Sequence, residues 1–174
     1  LLSTDVLLRP AWLRVAQPTD SACGVSLPAL SSTAAAGLRE LYVRSFSCSP
    51  PVLCIEAVRS FSQLHTLSIR NITVSGLGPL EGCVQLRRLD IPGSAQLVSL
   101  EGIQACTQLE YLDMNLCSGV LSLKPLSACG HLLDVDISGC VSVISLEPLS
   151  ACGQLKALNL EDCIKIRSVE PLLA

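Results

Sequence analysis

The chain has 174 residues, 49% of them apolar, and a formal charge of -3. That is enough apolar material for one domain with its own core and excludes disorder. With 12 Lys/Arg against 15 Asp/Glu and no basic stripe, it is not read as a nucleic-acid binder, and no run reaches the roughly 20 apolar residues that cross a bilayer.

The opening LLSTDVLLRPAWLRVA has the look of a leader, but Asp5, Arg9 and Arg14 cut its apolar runs short of an h-region. It is read as folded, with a first strand at WLRV, Trp12 to Val15. Residues 17 to 37 (QPTDSACGVSLPALSSTAAAG) then break any period. Residues 1–37 are therefore expected to be an irregular amino-terminal coil or cap, and 38–174 a repeat array. LRELYV at Leu38 to Val43 and LHTLSI at Leu64 to Ile69 open that array.

From residue 83 onward the period is 23. Cys83, Cys106, Cys129 and Cys152 recur at that spacing, as do Leu86, Leu109, Leu132 and Leu155. So do Leu89, Leu112, Val135 and Leu158, and then Ile91, Met114, Ile137 and Leu160. Self-similarity at a period of about 20 to 50 marks a solenoid. Each unit reads L-x-x-L-x-L-x-x-C, an apolar pair, and a return segment such as KPLSACG (Lys124 to Gly130). The array ends at VEPLLA, where the next residues would read as another C-x-x-L, so the final repeat is expected to be truncated.

Within a unit, L-x-L alternates apolar with polar residues, so a short strand buries one face and shows the other. A parallel partner one unit on needs a crossover. Proline near the start and glycine just past the end of the return segment mark one or two turns of 3₁₀ or α-helix. The expectation is an α/β solenoid of about seven coils, with a curved parallel sheet on its concave face and helical turns on its convex wall.

The ten cysteines fit this architecture as small buried hydrophobes. Equivalent cysteines of adjacent coils come within disulfide range, but point the same way rather than at each other. No C-x-x-C pair occurs to suggest a metal. Reduced core thiols are expected, with no metal and no cofactor, and they imply an intracellular, cytoplasmic setting. Cys23 in DSACGVS has no base within reach, His65 and His131 being far along the array. No nucleophile, base and orienting group converge, so no enzyme is expected.

LNLEDCIKIRSVEPL (Leu158 to Leu172) and VDISGCVSVISLEPL (Val135 to Leu149) resemble leucine-rich repeats. In particular they are similar to the cysteine-containing repeats of protozoan proteins, trypanosomatid ones above all, and of some ubiquitin-ligase receptor subunits. SLEPL and SVEPL are also similar to the short repeats of phosphatase regulators and internalins. The resemblance implies a non-catalytic binding scaffold. No F-box-like segment precedes the repeats.

In a curved solenoid the concave sheet is the extended binding surface. Its central column reads Tyr42, Ser68, Asp90, Asp113, Asp136, Asn159. The column before it reads Glu40, Thr66, Arg88, Tyr111, Asp134, Ala157, and the one after Arg44, Arg70, Pro92, Asn115, Ser138, Glu161. Three aspartates in adjacent rungs are unusual, because aspartate is depleted in strands and like charges opposite one another repel. Folding alone does not explain them on this reading. Three readings stand: duplication copied the residue and solvation tolerates it; Asp113, Asp134, Asp136 and Glu161 form a docking patch for a basic segment with Tyr111 as an aromatic anchor; or the aspartates bind a divalent metal.

The halves differ in sign. Residues 1–88 carry eight Lys/Arg and five Asp/Glu, and residues 89–174 four and ten, giving +3 and -6. Arg44, Arg70 and Arg88 lie on the same concavity. The expected function is an intracellular protein-interaction module. The alternatives are a structural spacer, or a substrate-receptor or regulatory scaffold of a ubiquitin ligase or phosphatase. Uncapped end coils are also expected to allow end-to-end self-association.

Overall fold

A computed structural model describes residues 11–14, 25–26, 37–44 and 52–173. Seven parallel strands build one sheet in the order β1-β3-β5-β7-β8-β9-β10. They are β1 (Ala11–Arg14), β3 (Glu40–Arg44), β5 (Thr66–Arg70), β7 (Arg88–Asp90), β8 (Tyr111–Asp113), β9 (Asp134–Asp136) and β10 (Ala157–Asn159). Three short segments, β2 (Val25–Ser26), β4 (Val52–Cys54) and β6 (Thr73–Val74), form a second parallel sheet that the repeat pattern does not announce.

The register follows the 23-residue columns. Leu89 pairs with Leu112, Leu112 with Val135, and Val135 with Leu158. In each of these coils the L-x-L positions point into one continuous core, and Leu86, Leu89, Leu109, Leu132, Val135 and Ile137 are fully buried. A buried Leu, Ile or Val contributes about 1.5–3 kcal/mol. The stack therefore holds together by repeated apolar rungs spaced about 4.8 Å apart.

The return segments form 3₁₀ turns, as at Gly78–Gly82, Lys124–Ala128 and Glu147–Ala151, each with proline in its first two positions. Proline fits there because the first amides of a helix have no internal acceptor to lose. Each turn is closed by the amide of the cysteine that follows. Cys83 N donates to Leu80 O at 2.8 Å, and Cys129 N to Leu126 O at 2.9 Å.

The cysteines do more than fill space. All eight described cysteines are free, and all but Cys54 are buried. Each buried thiol donates back to a backbone carbonyl of the preceding coil. Cys83 reaches Val58 O at 3.3 Å and Cys129 reaches Ile103 O at 3.6 Å; in the second column Cys140 reaches Met114 O at 3.2 Å and Cys163 Ile137 O at 3.0 Å. Ser94, 23 residues before Cys117, is also fully buried, and its Oγ accepts from Val74 N at 3.0 Å. These columns thus satisfy loop backbone groups that burial would otherwise leave unpaired, a role that packing alone does not describe. Cys23 and Cys48 lie outside the described residues.

Past each strand the chain turns sharply in the left-handed region. Gly93, Leu116, Gly139 and Asp162 occupy one column with φ of 72°, 57°, 69° and 59°. Glycine adopts this conformation without steric cost, whereas leucine does not. Leu116 lies across Gly139, where an added Cβ would meet Leu116 Cδ2 at 2.6 Å.

Candidate functional site on the concave face

Asp90, Asp113 and Asp136 are direct register partners, with Ser68 and Tyr42 before them and Asn159 after them. The expected column exists. Its members do not share one environment, however, because each carboxylate is held by different donors.

Asp113 Oδ1 accepts from Asn115 N at 3.1 Å, Asp136 Oδ1 from Ser138 N at 2.9 Å, and Asn159 Oδ1 from Glu161 N at 3.1 Å. These are Asx turns, in which a short polar side chain captures the amide two residues on and ends the strand. Asp136 gains Ser138 Oγ at 2.6 Å and Asn159 Nδ2 at 3.0 Å. Folding therefore does select Asp or Asn in this column, contrary to the expectation that it would not. Although partial burial pushes the Asp136 carboxyl up, the Ser138 and Asn159 bonds outweigh it and hold the group below its ordinary value.

Asp90 departs from the pattern. Two residues on stands Pro92, which has no N–H to give. The side chain turns instead to the preceding rung, where its Oδ2 accepts from Ser68 Oγ at 2.9 Å and Arg70 Nε at 3.0 Å. Asp90 is only 3% exposed, and its buried Oδ1 meets no protein donor among the described residues. It shares the concave side with its register partners but is covered there, bonded across to the preceding rung. Arg70 is correspondingly committed to Asp90.

The remaining residues converge. Arg88, Tyr111, Asp113, Asp134 and Asp136, over Leu89 and Leu112, line a cavity of about 200 Å³ on the concave face. Arg88 stacks on the Tyr111 ring, its guanidinium carbon 5.5 Å from the centroid. Asp134 and Tyr111 are exposed, whereas Asp113 and Asp136 are half-buried. None of Asp113, Asp134 and Asp136 has an ion pair among the described residues. Tyr42, Arg44 and Arg70 sit toward the amino-terminal rungs, and Asn159 and Glu161 toward the carboxyl-terminal one, outside the cavity lining.

One surface escaped the sequence reading. Val98, Leu121 and Ile144 occupy one 23-residue column on the flank after the strands and are all largely exposed. The signal was a third apolar residue beside each pair, as in LVSL, VLSL and VISL. No group of three or more His, Cys, Asp or Glu among the described residues is arranged to hold a metal ion. No described helix is long and apolar enough to cross a membrane.

No family model matches the chain, and no curated protein matches it in sequence. Solved structures do. The leucine-rich repeat domain of the type III effector XopL is 17% identical, over 94% of this chain and 56% of that one, with a TM-score of 0.68. The internalin InlC2 of Listeria monocytogenes is 18% identical, over 81% and 69%, with a TM-score of 0.58. The ectodomain of the receptor kinase SOBIR1 of Arabidopsis thaliana is 16% identical, over 71% and 70%, with a TM-score of 0.50. The trypanosomatid likeness finds no counterpart among these three. At such identities the likeness concerns the backbone: this chain folds as a leucine-rich-repeat solenoid.

Proposed function

We propose that the chain is a protein-interaction module whose concave face receives a basic segment of a partner protein. The reading rests on one observation: three aspartates without cationic partners among the described residues and one exposed tyrosine converge on a cavity of about 200 Å³. Three carboxylates against the single Arg88 guanidinium leave an excess of negative charge, and such an excess in a concavity with low-dielectric walls concentrates the opposite charge. A tyrosine beside it supplies a rigid amphipathic surface of the kind enriched in binding hot spots. Arg88, stacked on Tyr111, sets the register of an incoming chain by repelling its cations toward Asp134 and Asp136. Buried free thiols support placing the chain inside the cell, where thiols stay reduced.

A labelled hexa-arginine peptide, followed by fluorescence anisotropy, tests the reading. Asp134→Lys, at an exposed position, is expected to weaken binding by about tenfold or more and to flatten its salt dependence. The reversal Glu101→Lys, outside the concave columns, is expected to change neither. Equal affinity and equal salt slope for the two variants would refute docking on this face.

A further inference from the structure

The break in the Asx-turn ladder has a chemical consequence. Pro92 withholds the amide that Asp113 and Asp136 receive from the residues two places on, and Asp90 turns across to Ser68 and Arg70 instead. One of its oxygens is then buried with no donor from the described chain. An unsatisfied buried acceptor costs about 1–3 kcal/mol, more when it is charged. Asp113, its direct register partner, stands one strand spacing away. The Oδ1 of Asp113 is taken by Asn115 N, which leaves Oδ2 free to carry a proton.

The geometry points to Asp113 holding a proton that it shares with the Oδ1 of Asp90, making the pair a proton-for-cation exchange point in the floor of the concave site. A carboxylic acid facing a buried carboxylate supplies the donor that Asp90 lacks, and two like charges on adjacent rungs are reduced to one. Consistent with this, burial pushes the Asp113 carboxyl above its ordinary value. The Asn115 amide opposes the rise, while the Asp90 charge, the contact with Asp90 and the Asp136 charge add to it.

The charged and titratable neighbours all bear on the balance. From β7, Arg88 lies along the same cavity as Asp113, and from β9 Asp136 and Asp134 do so. Tyr111 precedes Asp113 on its own strand and is stacked under Arg88. Beyond Asp90, Arg70 neutralises the other carboxylate oxygen and so leaves Oδ1 as the acceptor. The Cys117 thiol, pushed up mainly by burial, also neighbours Asp113. No cationic side chain among the described residues is paired with Asp113 itself.

This deepens the reading of a basic partner and rests on it for its biological use. An arginine or lysine arriving at Asp113 supplies the positive charge that the proton supplied, so the proton leaves to solvent on binding. Affinity for a basic segment then rises with pH, up to tenfold per pH unit below the Asp113 midpoint, and is flat above it.

Two measurements decide the matter separately. In the free chain, carbon-detected NMR of the aspartate side-chain carboxyls should show Asp113 titrating above the ordinary aspartate value and above Asp136. Asp90→Asn should bring the Asp113 midpoint down. Coincident midpoints for Asp113 and Asp136, or no response to Asp90→Asn, would overturn the shared proton.

Asp113→Asn places an amide donor where the proton sat. That variant should match or exceed the wild-type denaturation midpoint at neutral pH and lose that advantage in acid; a lower midpoint at both pH values counts against the proposal. Calorimetry with the hexa-arginine peptide, at a pH below the measured Asp113 midpoint and in buffers of different ionisation enthalpy, should show proton release that Asp113→Asn abolishes. Binding without proton release defeats the exchange and leaves docking standing. No binding at all defeats docking, while the free-chain titration still decides the proton.

Discussion

Alkali should unfold this protein sharply, through its thiols. Burial pushes Cys83, Cys106, Cys129 and Cys140 from an ordinary value of 9.0 up to about 12, and Cys117 up to about 11. A pKa raised on folding means that the fold favours the protonated form. The associated stability is fully present below pH 9 and is lost as pH rises toward the folded values. Each such thiol removes a little over 1 kcal/mol per pH unit in that window. The five together remove about 7 kcal/mol per unit, against a net stability of about 5–15 kcal/mol for an ordinary domain. The fold should therefore collapse near pH 10.5, with the release of about five protons, as read by circular dichroism alongside thiolate absorbance. Both signals should move together for these five thiols, because they ionise only by unfolding. Ionisation of most of the ten cysteines near pH 9 while the dichroism stays native through pH 11.5 would refute the buried, hydrogen-bonded thiol columns.

In acid the opposite limb is carried by Asp136, whose carboxyl is held low by Ser138 and Asn159. Its contribution is present above the unfolded value and lost as pH falls through the folded one, and Ser138→Ala should shrink that loss in an acid denaturation series. Leu132→Ala, in a fully buried rung, should cost about 2–5 kcal/mol in urea denaturation. Ile144→Ser, at a position 67% exposed, should stay within about 0.5 kcal/mol of wild type; comparable losses from both would mean that the Val98, Leu121 and Ile144 column is packed rather than exposed.

Most of the fold was legible because the 23-residue columns are also its strand register. A residue and its repeat equivalent are neighbours in space, so Leu89, Leu112 and Val135 in the text of the sequence are Leu89, Leu112 and Val135 in the sheet. What periodicity cannot report is the second bond of a residue. Cysteine in a column reads as a small hydrophobe, and only coordinates show the thiol reaching back to Val58 O or Met114 O. The buried serine at 94 was a clue, since a hydroxyl has no reason to stand in a purely apolar column. The aspartates were misjudged for a related reason. Strand propensity and like-charge repulsion were weighed, while the amide two residues on, which the side chain captures, was not.

The three polar columns follow one rule. Stacked coils bury loop backbone at every turn, and burial demands a partner for each amide and carbonyl. Thiols answer some carbonyls, Ser94 answers the Val74 amide, and Asp113, Asp136 and Asn159 answer the amides that end their strands. A rule repeated this often makes its exception informative. Pro92 removes one amide from the ladder, Asp90 turns to the preceding rung, and Arg70 and Ser68 are recruited to hold it. The exception falls at the boundary between the basic and acidic halves of the chain and borders the cavity lined by Asp113, Asp134 and Asp136. Replacing Pro92 with a residue that carries an amide would let Asp90 rejoin the ladder, free Arg70, and place a third aspartate on the open face. That the chain instead carries proline there is the feature that sets Asp113 apart from the otherwise equivalent Asp136.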